Sequence, residues 1–127
     1  MPPNNAVDWF QRADCDLLNI ENNLASRVVP WATVVFHAHE GIEKYLKGLL
    51  VANGAMPRKT HDLVELIREC KQFAPELLQF EQDCRLLNRL YIACRYPEAT
   101  APGESDARRS FEVATKVKAI ILRNYKS

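Results

Sequence analysis

The stretch that decides the fold runs from Pro30 to Asn53, PWATVVFHAHEGIEKYLKGLLVAN. Trp31, Val34, Val35, Ala38, Ile42, Tyr45, Leu46 and Leu49 recur at three- and four-residue steps. At about 100° per residue they fill one arc of about 120°, as the core-facing side of a helix does. The stretch therefore predicts a single helix of roughly 36 Å, at about 1.5 Å per residue. Two flanks border the arc. Gly41 and Gly48 lie on one, where another backbone can approach closely. His39, Glu43 and Lys47 lie on the other, four residues apart, as a polar ladder at the edge of the core.

The neighbouring segments repeat this period. From Ala6 to about Ser26, Val7, Phe10, Ala13, Leu17, Ile20 and Leu24 form an apolar stripe, after a loose start over residues 1–5. Arg27 to Val29 make a tight connection, and Pro30 opens the second helix where a missing N–H costs nothing. Gly54 caps that helix and Pro57 prevents its resumption. Thr60 is the expected N-cap of a short third helix, about His61 to Lys71. Pro75 starts a fourth, with Leu77, Phe80, Cys84, Leu87, Tyr91 and Cys94 inward, and Pro97 stops it. Glu98 to Asp106 read as an exposed loop. Ser105 or Asp106 then caps a last helix to about Asn124. The expectation is an all-α fold: one domain over residues 1–127, an antiparallel up-and-down bundle of four long helices plus one short helix.

Composition bounds the function. The 127 residues are 47% hydrophobic and 26% charged, with a net charge of +1. That is an ordinary globular balance, and it argues against wholesale coating of nucleic acid. Charge is unevenly spread. Arg108, Arg109, Lys116, Lys118, Arg123 and Lys126 face a single acid, Glu112, after residue 107; Asp8, Asp14, Asp16 and Glu21 face Arg12 before residue 26. This reads either as solvated faces or as a surface for a phosphate or an acidic partner. There is no apolar run long enough to span a membrane and no leader-like N-terminus. Cys15, Cys70, Cys84 and Cys94 have no paired spacing, which predicts reduced, mostly buried thiols and a cytoplasmic protein. No metal-ligand motif, phosphate loop or nucleophile elbow is visible, so neither metal nor cofactor is expected.

Phe36 to Lys47 (FHAHEGIEKYLK), then Gly54, Thr60-His61-Asp62-Leu63, Tyr91 and Arg95-Tyr96-Pro97 together resemble the prokaryotic branch of the HEPN domain family. The likeness covers nearly the whole chain in order and spacing. Two departures matter. His39 and Glu40 stand where the family often has two glutamines. The ribonuclease signature, an Arg followed four to six residues later by a His, is missing: Thr100 lies five residues after Arg95, and His37, His39 and His61 all precede it.

The resemblance implies a homodimeric interaction module, often paired with a small nucleotidyltransferase in a toxin–antitoxin-like unit. It also implies a groove contacting a nucleotide or RNA, for which Glu43, Lys47, His61, Tyr91, Arg95 and Tyr96 are the candidates. Lys47 and Arg95 would hold a phosphate, Glu43 would hold Arg95, and Tyr91 or Tyr96 would stack on a base. The alternative for Glu43, Lys47 and Arg95 is an ion-pair network that fixes packing, with the whole chain a purely structural bundle. His61 either caps its turn or serves Arg95 as acid or base, in an RNA-cleaving toxin using Arg95 and His61. Otherwise no catalytic residue is expected. His39 is assigned to the core boundary, available to a dimer contact; Trp9 and Trp31 are assigned to the core or an interface.

Overall fold

A computed structural model describes residues 5–125. The start expected to be loose thus lies outside the described residues over 1–4, as does Lys126 of the basic set. The described chain is helical, with α1 Ala6–Leu24, α2 Trp31–Ala52, α3 Leu63–Cys70, α4 Glu81–Ala93 and α5 Glu104–Asn124. A 3-10 helix, Pro75–Phe80, leads into α4. No helix of the described residues is long and apolar enough to cross a membrane.

Helix α2 is the axis of the molecule. Val34, Val35, Ala38, Ile42, Tyr45, Leu46 and Leu49 are fully buried, as their arc requires. The burial extends well beyond that arc, because Gly41, Glu43, Lys47 and Gly48 are buried too. Helices α1, α3, α4 and α5 all pack on α2, so its middle keeps only a half-buried strip at His37, Glu40 and Lys44. Trp31 is only partly buried and Val7 is 47% exposed. Among the cysteines Cys70 and Cys84 are buried, Cys94 is half-buried and Cys15 is exposed; all four are free thiols.

The helix ends follow capping chemistry, with three corrections. Asn5 caps α1 by accepting the Asp8 N–H at 3.0 Å. Helix α2 closes with Gly54 at φ +78°, the Ala55 N–H donating to the Leu50 carbonyl at 2.9 Å and Gly54 N–H to Val51 at 3.0 Å. That is a left-handed glycine cap. The N-cap of α3 is Asp62, whose Oδ1 accepts from Val64 and Glu65; Thr60 instead accepts the Asp62 N–H in a tight turn. A carboxylate satisfies the positive end of a helix better than a hydroxyl does, so His61 falls before the helix. The fourth segment is α-helical only from Glu81, its first part being 3-10. Gly103, rather than Ser105 or Asp106, occupies the cap position of α5; Asp106 reaches back to the Gly103 N–H. In the loop before it, expected to be exposed, Pro102 is buried.

The uneven charge resolves inside the fold. Arg108 pairs with Glu104, Arg109 with Asp83 and Glu112, Lys116 with Glu112, Lys118 with Asp14, and Arg123 with Glu76. Every described cation of the basic set is therefore answered by an acid of this chain.

Close approach of α1 to α2 is concentrated at one glycine. A Cβ at Gly48 would sit 2.5 Å from Phe10 Cε1 and 3.1 Å from Trp9 Cβ, whereas at Gly41 it would make ordinary contact, 3.5 Å from Asp16. Gly48→Ala should therefore cost about 1–3 kcal/mol by overpacking. Gly41→Ala should be neutral or stabilising by up to about 1 kcal/mol, since alanine favours helix. Urea unfolding of both variants checks this; equal effects would contradict it.

Candidate functional site

The polar ladder of α2 is buried. His39 is 0%, Glu43 6% and Lys47 7% exposed. Glu43 accepts from Lys47 Nζ at 3.0 Å and sits 2.9 Å from His61 Nδ1. The turn that precedes α3 carries His61 over α2, which makes this pairing. The carboxylate draws the imidazole proton to Nδ1 and leaves Nε2 on the outer side of a ring that is largely exposed. Lys47 turns toward α1, its ammonium 5.8 Å from the centre of the Trp9 ring.

His61 lines a cleft of about 320 Å³ between the start of α3 and the end of α4, with His39, Asp62, Asn88, Tyr91, Ile92 and Arg95. Arg95 lies just past α4, its guanidinium 5.8 Å from the Tyr91 ring centre. Among the described residues it has no ion-pair partner. The expected Glu43–Arg95 pair is therefore absent: Glu43 is spent on Lys47 and His61, and α4 ends at Ala93, before Arg95. Lys47 and Tyr96 do not line the cleft, the first because it faces Trp9, the second because it lies 52% exposed beyond the helix. His61, Tyr91 and Arg95 do converge there.

Tyr91 is a packed element more than a stacking platform. It is 7% exposed, with the His39 ring parallel at 3.8 Å and Phe36 at 5.5 Å. Its hydroxyl donates to Glu40 at 2.9 Å. Burial first, and Glu40 second, push its pKa up to about 12. Glu40 faces Lys44 at 3.6 Å, Lys44 donates to buried Asp16 at 2.7 Å, and Asp16 also holds His37 at 2.8 Å. This seam ties α1 to α2 and α4.

His39 is deeper than expected and is closed to any dimer contact. Its Nε2 lies 3.1 Å from Asn88 Oδ1. Asn88 Oδ1 also accepts the Leu63 N–H at 3.1 Å, and Asn88 Nδ2 donates to Asp62 at 2.9 Å. Asn88 thus presents an acceptor, so Nε2 carries the His39 proton and Nδ1 holds a lone pair. Desolvation lowers the His39 pKa, so the ring stays neutral. Sequence reasoning missed Asp16, Glu40, Asp62 and Asn88. Its available signals were the Glu40–Lys44 spacing and an acid interrupting the α1 stripe.

With fold and cleft in place, comparison decides the family. The HEPN domain profile matches residues 6–125. The chain belongs to the HEPN domain family. This HEPN domain is similar in structure to TT1696 from Thermus thermophilus, known from a crystal structure. The TM-score is 0.80 at 25% identity, over 96% of this chain and 99% of that one. The comparison with curated proteins found no match to this chain. Family membership marks it as a nucleotide- or RNA-related module.

The buried neutral histidine has a pH signature. In the unfolded chain His39 takes a proton near 6.5, while the folded state takes it only at lower pH. The unfolded state therefore binds more protons as pH falls, and stability declines through about pH 6.5 and below. The urea midpoint of the wild type should drop between about pH 7.5 and 5.5, and less so in His39→Gln. Parallel profiles would contradict this.

Proposed function

We propose that this HEPN domain is a nucleotide- or nucleic-acid-associated interaction module, a homodimer without catalysis of its own. In this reading it works beside a small nucleotidyltransferase in a toxin–antitoxin-like pair. The observation that carries the proposal is the cleft at the end of α4. There the guanidinium of Arg95, free of ion pairs among the described residues, and the outer nitrogen of His61 face one volume of about 320 Å³. A guanidinium beside an imidazole suits a phosphate. Exposed Ile92 and Tyr96 beside it add apolar surface for a partner. The free thiols fit a reducing, cytoplasmic setting.

RNA cleavage by Arg95 and His61 is the second reading. It is favoured by the 2.9 Å contact of Glu43 with His61, a carboxylate-oriented imidazole. Cleavage through a ribose 2′-hydroxyl needs one group to take a proton and another to give one. His61 supplies one. Tyr91 keeps its proton to about pH 12, His39 is buried and neutral, and the Asp62 carboxylate is committed to capping α3. The binding module therefore accounts better for the cleft. If neither holds, the ladder serves only to fix packing.

Calorimetry with AMP, ADP, ATP and short RNA tests the reading. Arg95→Ala should weaken binding by about 10- to 100-fold, the loss of one charged hydrogen bond. Lys47→Ala, if folded, should leave affinity unchanged. No heat with any of these ligands would overturn the module. RNA cleavage by the wild type, lost in His61→Ala, would establish the second reading instead.

A further inference from the structure

His39 commits Nε2 to Asn88 and leaves Nδ1 buried without a hydrogen-bond partner among the described residues. A buried acceptor left alone costs about 1–3 kcal/mol, so an occupant that uses the lone pair is favoured. The surroundings indicate which. A ring nitrogen of His39 and one oxygen each of Glu40 and Glu43 lie within 4.8 Å of one another. These are positions i, i+1 and i+4 of a single rigid helix.

We propose that His39, Glu40 and Glu43 form a binding site for a divalent transition-metal ion of the Zn²⁺ type, beside the cleft that His39 lines. One imidazole and two carboxylates make a nitrogen–oxygen donor set that such ions accept, with positions left over for water. Each carboxylate oxygen keeps a spare lone pair beside its present bonds. Metal–ligand distances of about 2.0–2.2 Å require the three donors to close in, which carboxylate rotation supplies. Turning Glu40 leaves Lys44 on Asp16 at 2.7 Å, closer than Glu40 at 3.6 Å, but Glu40 must keep the Tyr91 hydroxyl on its other oxygen or share it. Glu43 must loosen Lys47 or share it. The carboxylates Asp16, Glu40 and Glu43 outnumber the ammonium groups of Lys44 and Lys47, so the local charge admits a cation. Burial keeps His39 neutral, as a metal ligand must be. His39 lines the cleft, which gives the route of entry.

The competing occupant of Nδ1 is a buried water. Chelator-treated protein, titrated with Zn²⁺ by calorimetry and followed by thermal unfolding, separates the two. The expected result is one ion per chain and a rise in Tm. Co²⁺ in place of Zn²⁺ should give a visible absorption band. His39→Gln should weaken Zn²⁺ binding by at least about 100-fold, beyond the 10- to 100-fold typical of an outer-shell loss. Glu40→Gln, at a half-buried position and so less dangerous to folding, should weaken it by more than about 10-fold. His37→Gln, whose ring serves Asp16, should leave it unchanged. No binding and an unmoved Tm would overturn the site and leave water at Nδ1. So would an affinity insensitive to both His39→Gln and Glu40→Gln, or one lost only in His61→Gln.

Discussion

A carboxylate buried in the middle of the central helix constrains the rest of this structure. Glu43 is 6% exposed and cannot be left uncompensated. It is answered from two directions: Lys47, one turn along α2, and His61, from the turn that enters α3. A buried ion pair of this kind adds little net stability over an apolar pair of the same size. What it does is penalise wrong arrangements. A shift of the α3 entry strips Glu43 of His61. A rotation of α2 removes Lys47 from its place against Trp9. The pairing thus fixes how the connection between α2 and α3 crosses the bundle, and with it one wall of the cleft.

The opposite wall depends on a second polar chain. Asn88 of α4 bonds His39, the Leu63 N–H and the Asp62 carboxylate at once, so it joins three segments through one side chain. Tyr91, one turn on, rests on His39 and gives its hydroxyl to Glu40. The walls are therefore largely satisfied, with His39 Nδ1 the exception, and at the mouth of the cleft Arg95 has no ion-pair partner among the described residues. This division is what a binding cleft needs: a fixed frame and a few uncommitted polar groups.

Much of this was readable from the chain. The α2 period placed its core residues from Val34 to Leu49 correctly, with Trp31 at the end of the arc only partly buried, because a strong three- and four-residue pattern leaves little choice of face. Gly48 was recognisable as a point of close approach, and the HEPN resemblance is confirmed over nearly all the chain. The Glu43–Lys47 pair follows from helical spacing alone. His61 does not, since it lies 18 residues from Glu43 and reaches it only through the path of a loop. The α3 cap was expected at Thr60 and lies at Asp62, whose support from Asn88 is tertiary. Arg95 could not be judged from spacing: the assumption that α4 continues to Pro97 aimed it at Glu43, whereas the helix stops short. The two readings of the charge imbalance could not be separated from sequence for the same reason, because acids from α1, α4 and the 3-10 helix answer the cations of α5.

The most direct test of the claim that Glu43 holds this arrangement is urea unfolding of two variants, one that breaks the pair and one that replaces it. Glu43→Gln alone strands buried Lys47 and should cost about 3–5 kcal/mol, whereas Glu43→Leu combined with Lys47→Met should recover most of that loss. A Glu43→Gln protein within about 0.5 kcal/mol of the wild type, the range of an ordinary surface substitution, would contradict it.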